Sequence, residues 1–101
     1  MRYLVSITPE TETNNEIDRD GTVMPLFEFL KEQFKPEAFY LEAARRKLWM
    51  VVDFETGGDL NKLTCIAVFK FGAYPEIFPL LTEEQNLTAI PASLGLMETA
   101  P

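Results

Sequence analysis

The sequence predicts an α+β fold: strand, helix, strand, strand, helix, strand, with both helices on one face of a four-stranded antiparallel sheet. Three observations predict it. Two segments repeat apolar residues at the 0, 3, 4, 7, 11 spacing of an amphipathic helix. Alternating, strand-like segments surround them. The last of those contains a proline, Pro79, which suits only an edge strand or a bulge.

Arg2–Thr8 alternates Tyr3, Val5 and Ile7 with Arg2, Leu4 and Ser6, the period of a strand with one apolar face. Pro9–Gly21 is acidic and without periodicity, so a solvated loop is expected there. Val23, Leu26, Phe27, Leu30 and Phe34 form the first helical stripe. Thr22 is the expected N-cap, Pro25 falls in the first turn, and Pro36 stops the helix. Glu37–Ala43 and Leu48–Glu55 read as a hairpin around a turn at Ala44–Lys47. The expected register pairs Glu42 with Trp49, Leu41 with Met50 and Tyr40 with Val51. Phe39, Leu41, Met50 and Val52 then share one face, and Tyr40, Glu42, Trp49, Val51 and Asp53 the other.

Thr56-Gly57-Gly58 breaks the chain, and Asp59 is the expected cap of a second helix reaching Phe71. Leu60, Leu63, Thr64, Ala67 and Phe71 make its stripe, and Gly72 suits the C′ position. Cys65 is expected to be an inert core thiol of this helix. Glu76–Leu81 is the last strand. Residues 1–81 therefore form the domain. The tail, 82–101, spaces Leu87, Ile90, Leu94, Leu96 and Met97 as if to lie over apolar surface of the domain or of a partner subunit.

This element order describes a ferredoxin-like βαββαβ sheet in spatial order 4-1-3-2, with strands two and four at the edges. Helices cover only one face. The other would carry Leu4, Tyr40, Trp49, Val51, Phe78 and Leu80, too apolar together to be left in water. A second copy packed face to face across a two-fold axis is the expected cover, giving a homodimer.

Here the chain resembles the dimeric α+β barrel superfamily. Within it the nearest likeness is to small GYD-type domains and related uncharacterised bacterial domains, with muconolactone isomerase more distant. The resemblance runs from Glu37 to Gln85, through EAFYLEAARRKLWMVVDFE, the helix from Asp59 and the closing EIFPLLTEEQ. It implies a fold rather than a catalytic residue. The superfamily includes cofactor-free monooxygenases, isomerases and haem-degrading enzymes. Its haem branch is expected to need an axial histidine, and this chain has no histidine.

Composition narrows the function further. The 101 residues are 47% hydrophobic and 12% aromatic, enough for a packed core rather than a disordered chain. A net charge of −7 argues against nucleic-acid binding, which needs clustered cations. Without histidine there is no Ser-His-Asp or Cys-His catalysis and no imidazole metal site, so no metal and no cofactor are expected. One cysteine cannot form an internal disulfide. No apolar run approaches a membrane span and no secretory leader is evident, so a cytoplasmic protein without membrane contact is expected.

The candidate site is Arg2, Ser6, Tyr40, Glu42, Trp49 and Asp53, the polar and amphipathic residues of the helix-free face. Between two sheets they could hold a small organic ligand, with an aromatic wall, a carboxylate and a guanidinium. The same residues could instead be an ion pair and filler in a dimer core. A third reading makes the protein a cofactor-independent isomerase or monooxygenase of a small polar-aromatic or lactone-like metabolite. There Glu42 or Asp53 would be the base, and Arg2 or Tyr40 would steady an enolate. Arg45, Arg46 and Lys47 read as a solvated turn, with an anion site or pairing between subunits to the acidic Glu10–Asp20 loop as alternatives.

Overall fold

A computed structural model describes residues 1–101 and shows an α+β chain with one four-stranded antiparallel sheet. The elements are β1 (Arg2–Ile7), α1 (Thr11–Asp20), α2 (Val23–Phe34), β2 (Ala38–Glu42), β3 (Lys47–Asp53), α3 (Gly57–Ile66), β4 (Glu76–Leu80) and α4 (Glu83–Thr99). The α3 helix continues as a π-helical turn over Ala67–Phe71. The strands lie in the order β2-β3-β1-β4, so β1 and β3 are central and Pro79 sits on an edge.

Alternation decides which residues face the core. Val5, Ile7, Leu48, Met50 and Val52 are all buried, and register places Val5 opposite Met50 and Ile7 opposite Leu48. They meet Leu30 of α2, Leu63 of α3, and Ala67 and Phe71 of the π turn. Both expected helical stripes are therefore the faces that bury apolar area. Leu41 has the parity of the core face but stays exposed, because it lies near the end of an edge strand.

The acidic segment expected as a loop is the helix α1. Its apolar content is low, and its caps hold it instead. The Glu10 carboxylate accepts from the backbone N–H groups of Thr13 at 2.8 Å and Glu12 at 3.1 Å, and from the Thr13 hydroxyl at 2.9 Å. Glu10 N–H donates to the Phe71 carbonyl at 2.9 Å, which docks the start of α1 on the end of the π turn. Gly21 closes α1 in the left-handed region, at φ 70°. Ile17 packs against the core from inside this polar helix.

Several helix ends differ from expectation. Thr22 precedes α2 but makes no side-chain cap; its hydroxyl donates to the Ile17 carbonyl at 3.4 Å, consistent with its helical backbone angles. α3 begins at Gly57, two residues before the expected cap Asp59, with Thr56 in the N-cap position. Cys65 is exposed rather than in the core, because it projects away from the Leu60–Leu63–Ala67 stripe.

The hairpin turn occupies Ala43–Arg46, one residue earlier than expected. The pairs are Phe39 with Met50, Tyr40 with Trp49, Leu41 with Leu48 and Glu42 with Lys47. The slip is two residues in register, so parity and both faces are unchanged. Arg46 takes the left-handed turn conformation, at φ 56°. Its guanidinium reaches α1, donating to Asn15 Oδ1 at 2.9 Å and pairing closely with Asp18. With its amide oxygen turned to Arg46, the buried Asn14 accepts from Nε at 2.7 Å and Nη2 at 2.9 Å. The hairpin tip and the acidic segment thus pair within one chain.

The tail forms α4, a 17-residue helix opened by a Thr82/Gln85 capping box. None of its residues is buried. The molecule measures 57 × 27 × 26 Å with a radius of gyration of 17.1 Å, against about 13 Å for a compact domain of this length. Pro91 lies within α4 and costs a helix interior about 3 kcal/mol; Gly95 costs about 1. No helix of the chain is long and apolar enough to cross a membrane.

Two outcomes follow from this packing. The Thr13 and Glu12 backbone N–H groups, with the Thr13 hydroxyl, hold the Glu10 carboxyl below the usual carboxylate range. Its contribution is therefore complete above the unfolded-state pKa and is lost as pH falls through the lowered folded-state value. Glu10→Gln is expected to weaken α1 near neutral pH, and its stability difference from wild type should shrink in acid, as read by far-ultraviolet circular dichroism across pH. Gly72 sits at φ 67°, and a Cβ there would stand 3.2 Å from Glu10 Cβ and Thr13 Oγ1. Gly72→Ala should cost about 1–2 kcal/mol in denaturant melts, more than Gly21→Ala, where the added methyl meets nothing.

Candidate functional site

The helix-free face of the sheet is built from the outward-facing residues of all four strands. Leu4 and Val51 face each other across β1 and β3, and Leu4 faces Phe78 across β1 and β4. Trp49 has Ser6 on one side and Tyr40 on the other. Leu4, Trp49 and Val51 are half-buried by their sheet neighbours alone. Tyr40 is 69% exposed and Phe78 44%.

Polar groups form a connected array at one end of this face. Trp49 Nε1 donates to Glu42 Oε2 at 3.0 Å. The Lys47 ammonium stands 4.8 Å from the centre of the Trp49 ring and pairs with Glu76 at 3.2 Å. Ser6 Oγ reaches the same Glu76 oxygen at 3.5 Å. Lys47 is the most sheltered partner in any of the ion pairs, with 13% of its side chain exposed. Its ammonium thus meets both the face of the indole and a carboxylate, a cation–π contact reinforced by an ion pair.

The six expected site residues share this face but divide into two groups. Ser6, Tyr40, Glu42 and Trp49 are neighbours. Arg2 and Asp53 are paired across β1 and β3 at the far end, four residues along the strand from Ser6, or about 13 Å. Arg2 Nε donates to both carboxylate oxygens of Glu37, at 2.9 and 3.0 Å, not to Glu42. Asp53 accepts from the Met1 ammonium at 3.1 Å. A single site joining Arg2, Glu42 and Trp49 is therefore replaced by two polar ends with an apolar middle. Lys47 and Glu76 join the first end. Lys47 escaped notice because the expected turn included it; the alternation Lys47-Trp49-Val51-Asp53 already carried the signal.

Two concavities of the single chain reach the second end. A hollow of about 630 Å³ is lined by Met1, Arg2, Asp53, Leu80, Thr82 and Gln85, where β4 turns into α4. A cleft of about 700 Å³ opens between α2 and α3, on the helix side, over Phe34, Phe54, Ile66 and Cys65 with Lys35 and Lys62. Four of the site residues, Ser6, Tyr40, Glu42 and Trp49, line neither; within one chain Ser6 is buried, Glu42 and Trp49 are half-buried, and Tyr40 is exposed. No group of three or more Cys, Asp or Glu residues is arranged to hold a metal ion.

The chain matches no protein-family model and no curated protein.

Lys47→Ala removes the ammonium from over Trp49 and leaves Glu76 without its cation. The expected loss is about 1 kcal/mol in chemical denaturation. Lys47→Arg, which keeps charge and stem, should recover most of it.

Proposed function

We propose that this protein is a small cytoplasmic homodimer of the dimeric α+β barrel type, built on a ferredoxin-like sheet. In this reading two helix-free faces pack together and bind a small organic ligand between them. One observation carries it: the uncovered sheet face places Trp49, Tyr40, Phe78, Leu4 and Val51 beside the Glu42–Trp49 and Lys47–Glu76 polar array. Contiguous apolar residues on the solvent side of a sheet mark an interaction surface. The strand order β2-β3-β1-β4, with α2 and α3 on the opposite face, is compatible with that architecture.

The array suggests the ligand's chemistry. Trp49 and Tyr40 offer flat apolar surface. Glu42 accepts and Lys47 donates within a few ångströms of the indole. A ring-bearing compound with hydroxyl or carboxylate groups fits such a surface. Arg2 and Asp53 belong to the rim in this reading, engaged by Glu37 and by the Met1 ammonium.

Light scattering at micromolar concentration should give twice the 11.5 kDa chain mass. Trp49→Glu sets a third carboxylate beside Glu42 and Glu76 and should raise the dimer dissociation constant roughly thirtyfold or more, equivalent to about 2 kcal/mol. A monomeric wild type would sink the dimer. Native mass spectrometry of the purified protein then tests the ligand. Glu42→Gln should reduce retention of any co-purifying compound, whereas Arg2→Ala should not. Equal retention in both variants returns Glu42 to packing.

A further inference from the structure

We infer that the cleft between α2 and α3 is a binding site for a small aromatic carboxylate, separate from the sheet face and independent of the dimer. Its volume, about 700 Å³, falls in the range of about 300–1,000 Å³ that small-molecule sites occupy. The floor is apolar. Phe54 is buried, Phe34 and Ile66 are half-buried, and the Phe34 and Phe54 rings stand 5.9 Å apart. Phe29, 41% exposed, adds a further aromatic surface. A flat ring fits walls of this kind.

Charge selects the anion. Lys35 at the end of α2 and Lys62 on α3 both line the cleft, and neither pairs with a carboxylate of the chain. The carboxylates of the lining are mostly engaged. Arg2 holds both oxygens of Glu37, and the Met1 ammonium holds Asp53. Asp59 accepts from the Thr56 hydroxyl at 3.4 Å in the first turn of α3, where the helix dipole favours a negative charge. Glu55 alone has no partner. Two unpaired ammonium groups above an aromatic floor are complemented by a ring that carries an acid group.

The backbone at Lys35 is the second reason. Lys35 ends α2 in the left-handed region, at φ 46° and ψ 56°, which glycine adopts freely and a residue with a Cβ does not. Pro36 follows and restricts it further. Strain of this kind clusters at ligand clamps. A position that glycine would fill at less cost carries instead a cation that lines the cleft.

The test uses the full chain. Cys65, the one cysteine, is exposed and lines the same cleft, so its rate of reaction with iodoacetamide reports occupancy there. Naphthoate should slow that reaction saturably, whereas naphthylmethylamine should not. Lys35→Gly and Lys62→Gln should each raise the half-protecting concentration of naphthoate roughly tenfold. Lys70→Gln, the same charge change at an exposed lysine outside the cleft, should leave it unchanged. Lys35→Gly should also melt no lower than wild type, because glycine accepts φ 46°, so lost protection there is not lost folding. Three results overturn the assignment: no protection by naphthoate, equal protection by the amine, or a half-protecting concentration in Lys35→Gly and Lys62→Gln no higher than in Lys70→Gln.

Discussion

The pairing of β1 with β3 at the centre of the sheet fixes almost everything else. Val5 faces Met50 and Ile7 faces Leu48, all inward and all buried, so the core face is a continuous apolar floor. Helices α2 and α3 settle on that floor because each brings one stripe, ending in Leu30 and in Leu63, Ala67 and Phe71. The same alternation sends Leu4, Ser6, Trp49 and Val51 to the opposite side. No helix of the chain covers them. The one-sided core and the uncovered functional candidate are two results of a single register.

The faces were legible because they depend only on parity. An error of two residues in the hairpin changed every partner of β2 and left every side chain on its expected side. The site suffered more, since partners and distances matter there. Moving the turn by one residue brought Lys47 into β3 and onto the indole, and strand length separated Arg2 from Glu42. Helix α1 escaped periodicity altogether. Its formation rests on caps at Glu10 and Gly21 and on Arg46 arriving from the hairpin, and a tertiary ion pair leaves no periodic mark in sequence. Its carboxylates looked like a solvated loop for the same reason that they suit a helix held from outside. In α4, Pro91 and Gly95 obscured a helix that begins with a well-formed capping box.

The polar array has an internal logic that does not depend on any ligand. Lys47 serves two groups at once, covering the Trp49 ring and neutralising Glu76, while its own side chain stays largely out of water. Glu42 accepts from the indole N–H with one oxygen and stands 3.7 Å from Arg45 Nε with the other. Two carboxylates and one ammonium around an aromatic ring form a compact, directional surface on an otherwise apolar sheet. Such a surface can orient a bound molecule or a facing subunit, because its donors and acceptors are fixed by neighbouring strands rather than by flexible loops.

Trp49 is the only tryptophan of the chain, and it stands at the polar end of this uncovered face with an ammonium over its ring and a carboxylate on its nitrogen. The protein therefore carries a single optical reporter at the place where its biology is most open. Emission excited through the indole comes from that face alone, without dilution by other sites. Its wavelength, its accessibility to quenchers and its polarisation register whatever comes to lie there, before the identity of the visitor is known.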